Sequence, residues 1–102
     1  MQEREKAMSA YAIFTRVKTI DPAEMKVYSE NVQETVKGHN YKLLAAYGRK
    51  EVLEGPESEG ILIMEFPNMQ AAKAWYDSPA YRQVREHRFK GAEYRAVIVE
   101  GL

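Results

Sequence analysis

The sequence predicts an α+β domain of β-α-β-β-α-β order, with a four-stranded antiparallel sheet and its helices on one face. Three observations lead there. Residues 11–18, 42–49, 60–66 and 94–100 read as strands from their alternation or their short apolar runs. Two helical stretches, one after the first strand and one before the last, contain a polar cap followed directly by proline, at Asp21-Pro22 and Ser78-Pro79. Between the two middle strands, residues 50–60 contain Glu54-Gly55-Pro56 and end in Gly60, the chemistry of a long hairpin connection and not of a crossover helix.

In the first strand, Tyr11, Ile13, Thr15 and Val17 fall on one side and Ala12, Phe14, Arg16 and Lys18 on the other. The first helix starts at the Asp21 cap, with Pro22 at its first position and Glu24 completing a capping box. Met25, Tyr28, Val32 and Val36 then form one apolar stripe, and Gly38 suits the left-handed residue that ends such a helix. The second strand sets Leu43, Ala45 and Tyr47 against Leu44, Ala46 and Gly48, so it is expected to be covered on both faces. Ile61 and Ile63 oppose Leu62, Met64 and Phe66 in the third strand, again with both faces apolar. Pro67 stops that strand, Asn68 caps a helix over 69–77, and Ser78-Pro79 restarts a second over 80–89, so this helical layer is broken in two. Val97 and Val99 oppose Ala96 and Ile98 in the last strand.

At 102 residues, with 45% hydrophobic and 29% charged side chains, the chain is one globular domain's worth, near the size at which a lone core is marginal. Fifteen basic and fifteen acidic side chains cancel, which argues against nucleic-acid or anionic-membrane partners. Nucleic-acid binding would also call for aromatic platforms on the central strands, and residues 61–66 lack that pattern. No cysteine is present, so disulfides, thiol nucleophiles and thiolate metal sites are excluded, and a cytoplasmic location fits. No stretch reaches membrane-spanning length, and the polar opening lacks the apolar core of a signal peptide. Residues 1–8 are expected to be a flexible lead to a single domain over 9–102, with Met8 a second candidate start.

Helices on one side leave the other sheet face uncovered. Since three of the strands are apolar on both faces, that open face would exceed what a monomer usually exposes, and a second copy is the simplest cover. A homodimer through the sheet face is therefore expected.

Four segments carry a resemblance to a known family: Tyr11 to Pro22, Tyr47-Gly48-Arg49 to Leu53-Glu54-Gly55, Phe66-Pro67-Asn68, and Trp75-Tyr76-Asp77-Ser78-Pro79-Ala80-Tyr81. Together they resemble domain of unknown function 1330, within the dimeric α/β-barrel superfamily, over residues 9–102. The Trp-Tyr-x-Ser-Pro-x-Tyr run is the most specific part. This resemblance implies ferredoxin-like domains pairing into a dimeric α/β barrel, and implies no general activity. Related branches include cofactor-independent monooxygenases, polyketide cyclases, haem-degrading enzymes and small-molecule isomerases or dehalogenases, among which fold alone does not choose. Relatives often carry paired glycines after the arginine, where this chain has Arg49-Lys50-Glu51, so its hairpin is expected to differ in shape.

The most site-like feature is the group Trp75, Tyr76, Ser78 and Tyr81, which places an indole, two phenols and a hydroxyl around a helix break. Such side chains line small-molecule pockets; Trp75 and Tyr81 equally suit core packing, and Ser78 a helix cap. Arg49 can hold an anion and Glu54 can accept a proton, provided that they turn inward from the hairpin, where an ion pair or plain solvation would be ordinary. His39 and His87 are the side chains that titrate near neutrality; His39 follows the helix-ending Gly38, both are expected on the surface, and no third ligand is spaced to make a metal site with them. Tyr28, Tyr47 and the neighbouring Asn31 can border a cavity between helix and sheet. Arg82, Arg85, Arg88 and Lys90 form a basic run that could hold an acidic substrate, since Arg85 and Arg88 share the helical face of Tyr81, although such a run is expected to face water. No phosphate loop, nucleophile elbow, metal motif or cofactor signature appears.

The sequence thus reads as a cofactor-independent enzyme acting on a small, acidic or aromatic metabolite by proton transfer or related chemistry. In that reading Glu54, His39 or Tyr28 moves the proton, while Arg49, Trp75, Tyr76, Ser78, Tyr81, Tyr47 and Asn31 bind. The alternative is a non-catalytic small-molecule-binding or dimerisation module.

Overall fold

The structure, a computed structural model, describes residues 8–102, so all but Met8 of the expected lead lies outside the described residues. The elements run β1 (Ala10–Thr19), α1 (Pro22–Thr35), β2 (Lys42–Ala46), β3 (Gly60–Phe66), α2 (Met69–Tyr76), α3 (Pro79–Gly91) and β4 (Ala92–Glu100). All four strands join one antiparallel sheet in the order β2-β3-β1-β4, the ferredoxin-like arrangement. Among the described residues no helix is long and apolar enough to cross a membrane.

The caps act where the sequence puts them. Asp21 accepts from the Ala23 N–H at 3.1 Å, and beyond the helix Gly38 adopts a φ of +83°. Asn68 accepts from the Ala71 N–H at 2.7 Å. Ser78 accepts from the Tyr81 N–H at 3.2 Å while donating to the Trp75 carbonyl at 2.8 Å, so the break between α2 and α3 is a fully bonded corner. The N–H groups of Ile20 and Asp21 both donate to the Gly91 carbonyl, at 2.8 and 2.9 Å. A side chain on Gly91 would collide with Met25, so close approach clamps the start of α1 to the end of α3.

On the helix-covered face, Ala10, Ala12 and Phe14 of β1 are buried with Met64 and Phe66 of β3 beneath Trp75 and Tyr81. Trp75 stacks on Phe66 with ring centroids 5.8 Å apart and lies 4.2 Å from Tyr81. On the opposite face Val97 and Val99 are half-exposed beside Ile13 and Ile63. The expectation for the second strand needs correction: β2 stops at Ala46 and is an edge strand, with Leu43 and Leu44 half-exposed. A register shift between Leu43 and Ala45 spoils the alternation there, and only one neighbouring strand is available to shelter it.

Candidate functional site

α1 packs against α3 and approaches the strands little, which leaves a cavity of about 180 Å³ beneath it. The apolar stripe of α1, Met25, Tyr28, Val32 and Val36, forms one wall, with Tyr28, Val32 and Val36 also packed against the core. Phe14, Leu43, Leu62 and Met64 wall the sheet side, and Trp75 reaches in from α2. Arg16, Tyr47 and Tyr94 supply polar groups from the sheet, and Ser29 and Gln33 from α1. No carboxylate or histidine is among the lining side chains.

Two pairs of phenol hydroxyls organise the polar part. Tyr28 and Tyr81 lie 2.7 Å apart, and Tyr47 and Tyr94 2.8 Å apart. A pair of hydroxyls holds two hydrogens and spends one on the mutual bond, so each pair retains one hydrogen for another acceptor. Tyr47 is held in the left-handed region, φ +57°, with its N–H bonded to the Ile61 carbonyl at 2.8 Å. The Arg16 guanidinium lies 4.7 Å from the centre of its ring and bonds Glu59 at 3.0 Å. Glu59 also accepts from Thr19, and these bonds, with Arg16 adding to them, hold its carboxyl below the usual range.

Arg88 is 3% exposed and has no carboxylate within ion-pairing distance among the described residues. Its Nε donates to the Tyr81 hydroxyl at 3.3 Å and a terminal nitrogen to the Tyr76 hydroxyl at 3.4 Å. The guanidinium lies 4.9 Å from the Tyr94 ring centre and 5.1 Å from that of Phe14. For this residue the expectation of a water-facing basic run is overturned, because seven residues after Tyr81 it returns to the same helix face. Burial opposes its charge, but the Tyr81, Tyr28 and Tyr76 oxygens outweigh it and keep the guanidinium pKa above its ordinary value.

Burial pushes the Tyr28 hydroxyl far above the ordinary phenol range; Tyr81 adds to the shift and Arg88 opposes it. Tyr47 is pushed up by burial and by its bond to Tyr94, against the pull of Arg16. Tyr81 is also raised by burial, with Arg88 and the Tyr28 bond pulling down. At neutral pH these phenols are protonated donors, not bases.

The sequence profile of the family described as Domain of unknown function (DUF1330) matches residues 9–102. The chain belongs to the DUF1330 family. None of the curated proteins compared with it matches. Among solved structures it is similar to a protein of unknown function from Rhodopseudomonas palustris, at 16% identity and a TM-score of 0.73, over 93% of this chain and 83% of that one. A dimeric ferredoxin-like protein of unknown function from Thermobifida fusca is 15% identical with a TM-score of 0.63, over 93% and 92% of the two chains. A cofactor-independent oxygenase from Streptomyces nogalater is 9% identical with a TM-score of 0.56, over 90% and 91%. At these identities the likeness is one of fold.

Within this DUF1330 domain, Tyr28, Tyr47 and Trp75 line the cavity. Tyr81 stands behind Tyr28, Tyr76 faces a second hollow with Met69, Lys73 and Ile98, and Ser78 is the α3 cap. Asn31 is exposed and bonds the Val27 carbonyl of its own helix. Arg49 and Glu54 are exposed in the β2–β3 connection, and His39 is half-buried after Gly38; none of the three lines the cavity. His87 is not on open surface as expected: its Nδ1 lies 2.6 Å from Glu24, tying α3 to α1. The sequence does not single out Arg16 or Tyr94 as site residues, and it offers Arg88 only as one member of a basic run. The alternation that puts Arg16 on the Phe14 side was a usable signal, whereas its pairing opposite Tyr94 exists only in the sheet register. Among the described residues no three histidine, aspartate or glutamate side chains form a metal-ligand group.

Proposed function

We propose that this DUF1330 protein is a cofactor-independent enzyme of the cytoplasm whose small, largely apolar ligand occupies the cavity between α1 and the sheet. The observation that carries this reading is the convergence of the Tyr28, Tyr47 and Tyr94 hydroxyls on one apolar-walled space of about 180 Å³. Cavities of roughly 150 Å³ accept a benzene ring. In this reading Trp75 and Phe14 supply flat walls, Tyr47 and Tyr94 orient a ligand oxygen, and Tyr28 stabilises developing charge on it as a donor, with Tyr76, Ser78 and Tyr81 supporting them. Arg49, Asn31, Glu54 and His39 stand outside the lining, so the reading rests on Tyr28 as the hydrogen-bond donor to the reacting oxygen. A non-catalytic binding module is the second reading, favoured by the lack of a carboxylate or histidine in the lining.

The half-exposed Val97 and Val99, beside Ile13 and Ile63, support a homodimer through the open sheet face, as do the dimeric solved proteins of this fold. The test is thermal unfolding of the purified protein with a panel of single-ring aromatic compounds. A ligand of the folded state raises Tm with concentration, and Leu62→Trp, which fills the cavity, should abolish the effect. Compounds that stabilise the filled variant as much as the wild type would overturn the site; a panel without any stabilising member would overturn the ligand class.

A further inference from the structure

Arg88, Tyr81 and Tyr28 form one hydrogen-bonded line from the interior to the cavity wall, with separations of 3.3 and 2.7 Å. The direction of its first bond is fixed. A guanidinium has only donors, so the Tyr81 oxygen must accept from Arg88. Tyr81 keeps its own hydrogen to give; with that hydrogen on the Tyr28 oxygen 2.7 Å away, the Tyr28 hydrogen is left for an acceptor in the cavity that Tyr28 lines. A chain that begins at a buried cation polarises every hydrogen bond after it in the same sense. The charge behind it is not cancelled by any carboxylate among the described residues, and the other cation at the cavity, Arg16, is engaged by Glu59.

From this juxtaposition we infer that the cavity is an oxyanion site, taking a flat single-ring compound with one acidic oxygen of the phenol or enol type and binding it as the anion. This inference rests on the ligand-binding reading above and names its substrate class. Hydroxyl donors presented singly suit one charged oxygen, whereas a carboxylate would call for a free guanidinium fork. The walls of Phe14 and Trp75 suit a ring that shares the charge. Because Tyr28 stays protonated, it donates to the anion and does not generate it. The titratable and charged groups lining the site are Arg16, Tyr28, Tyr41, Tyr47 and Tyr94, with Tyr81, Tyr76 and Arg88 bonded in line behind Tyr28 and Glu59 bound to Arg16.

The test uses 4-nitrophenol, whose anion is coloured, and its neutral isostere 4-nitroanisole. In the full-length protein, the bound phenol should ionise at least about one pH unit below the free compound, which corresponds to about a tenfold preference for the anion. Tyr28→Phe and Tyr81→Phe, which keep ring packing, should each remove most of that shift while 4-nitroanisole still binds. If both probes bind with no shift, or if the shift survives in both variants, the oxyanion site is overturned and the cavity reading stands. If neither probe binds the wild-type protein, the cavity reading itself falls.

Discussion

Tyr47 lays its ring where a side chain on Gly60 would stand: an ideal Cβ on Gly60 would be 2.6 Å from the Tyr47 Cδ1. The glycine that begins β3 therefore sets the position of a residue on the cavity wall. Gly60→Ala should displace the Tyr47 ring, lengthen its bond to Tyr94 and cost about 1–3 kcal/mol, as overpacking usually does. Denaturant unfolding together with ligand titration checks this; unchanged stability and affinity would show that Tyr47 moves aside freely.

Alkaline pH should unfold the protein through its buried phenols. Tyr28 and Tyr81 have folded pKa values above the unfolded value of about 10, so the unfolded chain loses these protons first. Stability should hold below about pH 10 and then fall as pH rises through the gap, by up to ~1.4 kcal/mol per pH unit for each phenol. Tyr47 is more exposed and should contribute less. Replacing Tyr28 with phenylalanine should make the decline shallower in denaturant melts taken at successive pH values.

The Trp75 indole N–H donates to the Thr35 hydroxyl at 3.1 Å, and both residues are buried. Thr35→Val keeps the shape and removes the acceptor, which should cost about 1–3 kcal/mol for an indole N–H left without a partner. In a Trp75→Phe background, where the donor is gone, Thr35→Val should cost less; a double-mutant cycle in urea would detect the coupling.

Val97 is 53% exposed in the single chain, so Val97→Lys should leave the protomer fold intact. Sedimentation should find the wild type dimeric and this variant monomeric. A wild type that sediments as a monomer at micromolar concentration would remove the sheet-face dimer.

Much of the fold was legible because its signals are local. Asp21, Asn68 and Ser78 each cap the helix that the cap chemistry announced, since a cap satisfies donors only two or three residues away. β3 spans Gly60–Phe66 as its apolar run predicts. The end of β2 was misjudged because its apolar alternation continues past Ala46, while the pairing with β3 that decides where it ends belongs to another part of the chain. Of the site, the Tyr28 stripe and Trp75 could be read, but Arg88 looked like one member of an exposed charge run.

Element order, the helix starts and the aromatic run around the helix break follow from the sequence alone, because each depends on neighbours within a few residues. Tertiary packing set the stand-off of α1 over a cavity, clamped at Gly91, and the meeting of Tyr28 with Tyr81 across 53 positions. It likewise decided that Arg88 would lie buried among phenols without a carboxylate. The physical reason is that burial, and with it the strength of a charge or a hydrogen bond, is a property of the space that several elements enclose together, and no single segment carries it.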